Sequence, residues 1–230
     1  MKKRKVLVID IGGSHVKLMI SPEEKRKFKS GLKLTPREMV AQMKPLLSDW
    51  KFDVISIGFP APVRNGRILC EPKHLGSGWT RFNFEKAFGK PVRVINDAAM
   101  QALGSFRGGR MLFLGLGTGL GSTMVWAMNV LPLELGDLPY GDGSIIEDCL
   151  GKFGMEELGE KEWRREVFRA VLQLKKSLLA DYVVLGGGNA KKLDHLPEGV
   201  ELGHNRNAFL GGERLWQNEA RTNRPKWRII

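Results

Sequence analysis

The chain has 230 residues, 42% hydrophobic and 27% charged, with a formal net charge of +12. That is enough chain for a sizeable core. No apolar run reaches the roughly 20 residues of a membrane helix, and two distant cysteines, Cys70 and Cys149, exclude a disulfide scaffold and point to a reduced, cytoplasmic setting.

The first predicted elements form a hairpin, Val6–Ile20 (VLVIDIGGSHVKLMI), turning at Gly12-Gly13. The basic segment before it runs straight into this strand, so it is not read as a signal peptide. Pro36–Trp50 has helical spacing behind a Thr35 cap, with Pro45 expected to bend or restart it. Asp53–Gly58 reads as a buried strand feeding a rigid FPAPV loop, and Ile68–Cys70 as a short strand. Glu71–Asn83 reads as irregular, Val92–Ile95 as a strand and Ala98–Phe106 as a helix. A second hairpin, Met111–Trp126 (MLFLGLGTGLGSTMVW), precedes a turn-rich loop over Leu131–Gly143. Glu160–Leu179 is the strongest amphipathic pattern, with Trp163, Val167, Val171, Leu174 and Leu178 on one stripe. Tyr182–Leu185 is expected to be a strand ending in Gly186-Gly187-Gly188, and Ala208–Trp216 a last helix.

The two hairpins share one build, strand, glycine-rich turn, strand, about half the chain apart, which suggests a duplicated two-lobed architecture. SFRGGR at residues 105–110 marks the boundary, giving lobes 1–106 and 107–230. In DIGGS the turn feeds a strand rather than a helix, which argues against a P-loop or Rossmann turn. Backbone N–H groups with Ser14 or Lys17 can face phosphates there, while Asp10 is placed to hold Mg²⁺. The alternative is a tight turn in which Gly12 and Gly13 only supply positive φ. GLGTGLGS, from Gly115 to Ser122, holds more glycine than a hairpin needs, since each weakens its strand. Asn96 and Asp97 fall where strand becomes helix, a place for a cleft side chain and equally for an ordinary cap. Gly186–Gly188 could receive a flat base or serve as a packing turn.

The charge is concentrated at the ends: ten Lys/Arg against three acids in residues 1–33, and four basic residues with no acid in 221–230. Such a surplus suits nucleotides or polyphosphate, or simply a well-solvated surface. No nucleic-acid-binding pattern is present, and neither nucleic acid nor a membrane is expected as partner. His15, His74, His195 and His204 show no metal-ligand spacing, though His74 and Trp79 share a segment that could approach a ligand.

The ordered set DIGGS, ND, GLGTGLGS, ELG, LGGG resembles the ROK family of sugar kinases, and within it the compact polyphosphate-glucokinase-like members, from Asp10 to about Leu215. The resemblance implies an α/β, actin-like (ribonuclease H-like) two-lobed fold with a central cleft. It implies transfer of a phosphoryl group from ATP or polyphosphate to a hexose, most directly glucose, with Mg²⁺. By the same resemblance Asp10 holds the metal and Gly12, Gly13 and Ser14 face the donor phosphates. Asp97 is the general base, and Asn96 binds sugar hydroxyls. Gly117, Thr118, Gly119 and Gly121 form the second phosphate loop. Glu134 and Glu147 bind the sugar, and Gly186, Gly187 and Gly188 lie beside the adenosine; separately from the resemblance, Trp79 is the candidate for packing on the apolar face of a sugar ring. Asp137 stands where the family has histidine, exchanging a donor for an acceptor, which bears on which hexose is taken. Cys149 alone cannot make a zinc site, so no structural zinc is expected. A homodimer is left open. The readings outside this one are a kinase for another hexose such as mannose, a non-catalytic sugar- or nucleotide-binding protein, and an exopolyphosphatase-like hydrolase.

Overall fold

The computed structural model describes residues 4–141, 143–204, 206–218 and 224–230; the basic residues Lys2, Lys3 and Arg221 lie outside them. The first sheet is built from β1 (Val6–Ile11), β2 (His15–Met19), β3 (Lys25–Lys29) and, after helix α1 (Pro36–Leu46), β4 (Val54–Phe59). A small hairpin of β5 (Val63–Arg64) and β6 (Arg67–Ile68) and a short helix α2 (Phe84–Phe88) lead to its last strand, β7 (Val92–Asn96). Helix α3 (Asp97–Ser105) closes the first half, and the second holds β8 (Met111–Leu116), β9 (Leu120–Trp126), β10 (Asn129–Leu133), a pair β11 (Pro139–Tyr140) and β12 (Ser144–Ile145), and helices α4 (Ile146–Leu150) and α5 (Lys152–Ser177). Strands β13 (Tyr182–Gly186) and β14 (Val200–Leu202), helix α6 (Asn207–Arg214) and β15 (Arg228–Ile229) complete it.

The first sheet runs β3-β2-β1-β4-β7 and the second β14-β13-β8-β9-β10-β15. In both, an antiparallel three-strand meander is extended by two parallel strands on the side of its first strand. The duplication read from the two hairpins is therefore a repeat of whole-sheet topology, and the mixed α/β fold is the expected one.

Strand alternation sorts the core into three layers. Leu7, Ile9 and Ile11 of β1 face outward, where Met39, Val40 and Met43 of α1 cover them. Leu112, Leu114 and Leu116 of β8 face outward under Trp163, Val167 and Val171 of α5. Val6 and Val8, and Met111 and Phe113, face inward, where α3 and α6 are sandwiched between the sheets. The α3–α6 approach is so close that a Cβ on Gly104 would overlap the Asn207 carbonyl. The Ser56 hydroxyl of β4 donates to the Gly212 carbonyl at 2.7 Å, tying α6 back to the first sheet.

Differences from the sequence reading have local causes. Helix α1 has its Thr35 cap with a full capping box to Glu38, and Pro45 falls in its final turn rather than bending it. The loop expected from Leu131 begins instead as β10. Pro132 is tolerated because β15 pairs only with Asn129 and Val130, so no ladder bond needs its missing N–H. Strand β3 (KRKFK) had no readable apolar alternation because it is a charged edge strand. In α5 the chain breaks at Gly159 (φ 74°), just before the stripe starting at Glu160. Among the described residues no helix is long and apolar enough to cross a membrane.

Candidate active site

The alternation that buries Val6 and Val8 also aims Asp10, two residues on, toward the inner face at the end of β1. Its cross-strand partner is Lys17, whose Nζ lies 2.9 Å from Asp10 Oδ2. Asp10 is 5% exposed; the Lys17 side chain is 56% exposed. Burial alone would disfavour the ammonium, but the Asp10 charge outweighs it and raises the Lys17 pKa, with Asp97 adding to the effect.

Asp97 enters from the facing element. Asn96 ends β7 and caps α3, its Oδ1 accepting the Ala99 N–H at 3.1 Å. Its amide nitrogen donates to the Ala61 carbonyl at 3.4 Å, so the capping role is real and also fixes the strand-to-helix corner. Asp97, first in the helix, is thereby turned into the cleft, one oxygen accepting the Ala98 N–H at 2.9 Å. Its pKa is raised to about 7, first by burial and then by the Asp10 charge, with the Ala98 N–H and Lys17 opposing. A carboxylate poised there can take a proton near neutral pH.

The glycine loops bound the same space. Neither Gly12 nor Gly13 has a positive φ, so conformational freedom is not why they are glycine. A Cβ on Gly13 would press on the His74 Cβ at 3.1 Å, and one on Gly12 on the His15 carbonyl at 3.3 Å. In the second loop a Cβ on Gly121 would meet the Ala98 Cβ at 2.8 Å, and one on Gly119 would collide with the Glu147 carboxylate. Glu147 shapes that loop directly: one of its oxygens accepts the Leu120 N–H at 2.9 Å. Its other oxygen lies 3.7 Å from Lys73 Nζ, from the opposite wall. The Gly117 carbonyl accepts from the Asn189 side chain at 3.0 Å, which joins the second loop to the Gly186–Gly188 turn. Gly187 does need its glycine, with φ 82° and the Leu116 carbonyl where a Cβ would go.

Two adjoining cavities result. One of ≈ 440 Å³ holds Asn96, Asp97, Glu134 and Glu147 together with both glycine loops. The other, ≈ 690 Å³, extends past Gly186–Gly188 and is bordered by Lys25, Lys27 and Lys191. Among the described residues Lys17 is the one charged side chain lining both. Glu134 has a raised pKa, from burial first and then the charges of Asp137 and Glu147, with Lys73 opposing.

Two expected site residues are not in the cleft. Trp79 is 1% exposed and packs on Phe59 and Phe84 in the outer core of the first sheet, its indole N–H donating to the Gly76 carbonyl at 2.7 Å. Exposing so large a side chain would cost several kcal/mol, on the order of 3–5, so it is not available to a sugar; its neighbour His74 reaches the cleft instead. Asp137 lies in the turn Leu135–Asp137, outside the cavity lining, and acts on the cleft through its charge on Glu134. Sequence reading missed Lys73, Gln101, Phe113 and the three lysines of the larger cavity. Lys25 and Lys27 stand in the basic run KRKFK and Lys191 in NAKKL, neither of which marks a cavity, and Lys73 sits in an irregular segment with no pattern.

Asp10 fits a magnesium ion in the way that ion is commonly held, by one carboxylate with substrate phosphates and water completing the shell. Among the described residues no group of three or more His, Cys, Asp or Glu could hold a metal alone. Water and, in a complex, the donor's oxygens would therefore complete the shell of an ion held by Asp10.

No protein-family model matches the sequence, and no curated protein is similar to it in sequence. In structure it is similar to the polyphosphate/ATP-glucomannokinase of Arthrobacter sp. strain KM (TM-score 0.77, 22% identity, covering 90% of this chain and 96% of that one). It is similar also to a ROK-family glucokinase from Streptomyces griseus solved with glucose and AMPPNP (TM-score 0.70, 15% identity, 91% and 98% covered). A ROK-family transcriptional regulator, a homologue of the E. coli Mlc protein, has the same fold (TM-score 0.68, 14% identity, 92% and 77% covered). The chain thus has the fold of the ROK sugar kinases and their regulator relatives.

Proposed function

We propose that this protein is a cytoplasmic Mg²⁺-dependent hexose kinase of the ROK type that phosphorylates the 6-hydroxyl of glucose, with ATP, inorganic polyphosphate or both as donor. The observation that carries the reading is Asp97, a carboxylate with a pKa raised to about 7 in the wall of the smaller cavity, whose charge environment includes Asp10 and Lys17. A pure binding protein, the second reading, has no use for a base at that position.

In this reading the smaller cavity takes the sugar. Asn96, Glu134 and Glu147 accept or donate to its hydroxyls, and the Asp137 charge bears on whether glucose or another hexose such as mannose is preferred. Asp97 accepts the 6-hydroxyl proton as that oxygen bonds to the terminal phosphorus and the bond from phosphorus to the rest of the donor breaks. Asp10 would hold Mg²⁺, which neutralises charge on the donor oxygens. Backbone N–H groups around Gly12, Gly13, Ser14, Gly117, Thr118, Gly119 and Gly121 supply fixed dipoles for the phosphates. Gly186, Gly187 and Gly188 border the space for an adenosine. Lys25, Lys27 and Lys191 give the larger cavity a cationic border that suits a long polyanion better than a purine. We assign the lobes as 1–106 and 107–230, with α6 of the second reaching back onto the first sheet.

The test is glucose 6-phosphate formation with Mg²⁺, ATP and long-chain polyphosphate being supplied separately. Asp97→Ala is expected to lose at least about 10²-fold in kcat. No product from glucose, mannose or other hexoses with either donor would leave the binding-protein reading standing.

A further inference from the structure

The Asp10–Lys17 pair has a consequence for how the donor engages, and this inference rests on the kinase reading above. We propose that in the donor-free protein Lys17 occupies the Asp10 carboxylate oxygen that a divalent ion takes up, and that the ion's arrival sends the Lys17 ammonium onto the oxygens of the transferring phosphoryl group.

Asp10 and Lys17 face each other across β1 and β2, so the contact is fixed by strand register rather than by chance approach of two surface chains. The carboxylate is held at the end of a fully buried strand and cannot follow its partner. The ammonium is at the end of a flexible four-carbon stem, and more than half of its side chain is exposed. A divalent ion and an ammonium on one carboxylate oxygen repel each other, so the mobile partner leaves. Where it goes is set by the cavities: Lys17 lines both the sugar-side and the donor-side space. A phosphoryl group passing between them travels beside it. Lys17 and Asp97 line the same smaller cavity, so the released ammonium remains beside the reacting centre. One cation thus covers the Asp10–Asp97 acid pair before the donor binds and the transferring group afterwards, a role that backbone N–H groups cannot fill because they cannot move.

A static ion pair that merely braces the hairpin makes the opposite forecast for metal binding. Mn²⁺ binding, followed by electron paramagnetic resonance without donor or sugar, separates the two. Lys17→Met is expected to tighten Mn²⁺ roughly fivefold or more by removing the competitor, and Lys17→Arg, a firmer carboxylate partner, to weaken it. Lys25→Met, which removes a nearby cavity cation not bonded to Asp10, should change it less than about twofold. With donor present, Lys17→Met is expected to lower kcat about 10²-fold although it binds metal better. Mn²⁺ affinity that depends on Asp10 but is equal in Lys17→Met and Lys25→Met overturns the exchange and leaves the kinase reading intact. Mn²⁺ binding unaffected by Asp10→Asn overturns both.

Discussion

The two glycine hairpins have the same place in their sheets and opposite contents. In the first, the inner-face register position two residues beyond Val8 is Asp10, paired with Lys17. In the second, the position two residues beyond Phe113 is Gly115, paired with Gly121. One hairpin therefore delivers an ion pair to the cleft, and the other delivers bare backbone. At Gly121 there is no room for more, because the N-terminus of α3 lies against it at Ala98, whereas a Cβ on Gly115 would meet nothing nearer than the Phe113 ring at 3.4 Å. That close approach brings Asp97, the neighbour of Ala98, next to the glycine loops. The two sheets repeat one topology, and at this register position one carries charge where the other carries bare backbone.

This division can be broken most severely at its charged half. Asp10→Asn removes the charge that the second hairpin lacks while keeping side-chain volume. It is expected to lower kcat with Mg²⁺ by about 10²–10³-fold, with far-ultraviolet circular dichroism unchanged. At the shape half the effect is on stability: Gly121→Ala forces a methyl group into the Ala98 side chain, whose helix cannot shift alone. It should destabilise by about 1–3 kcal/mol in chemical denaturation. Gly13→Ala meets only the His74 side chain on an irregular segment, and should cost less than about 1 kcal/mol. Equal losses at the two positions would mean the hairpins are not specialised as described.

The smallest effect concerns Asp97. Its folded pKa of about 7 lies above its unfolded value. Between those values the folded state holds the proton more tightly, so stability falls as pH rises through the window and is lowest above pH 7. Asp97→Asn removes that penalty and is expected to raise Tm at pH 8 by about 2–4 °C, roughly 1 kcal/mol, with little change at pH 4. In the unmodified protein, activity should rise with pH through about 7, because the ionised form is the base; an activity flat from pH 5.5 to 8.5 would remove Asp97 from that role.

Much of this was legible in the chain itself. The repeated hairpins, the Thr35 cap, the α5 stripe and the order of the glycine motifs are local or periodic signals, and those follow from backbone sterics and side-chain patterning. Asp10 and Asp97 could be singled out because each sits at a break between elements. Trp79 was misread for a physical reason: the same large aromatic serves a sugar ring or a core, and only its packing on Phe59 and Phe84 decides. Lys73 meeting Glu147 from across the cleft joins residues from different halves of the chain.

The sequence by itself determined which residues alternate on which strand face, and hence that the second hairpin carries glycine where the first carries Asp10. Tertiary structure alone decided that α3 and α6 lie between the sheets. That packing brings two distant motifs to one cleft, and the burial and the facing Asp10 carboxylate that raise the Asp97 pKa arise only in the folded chain.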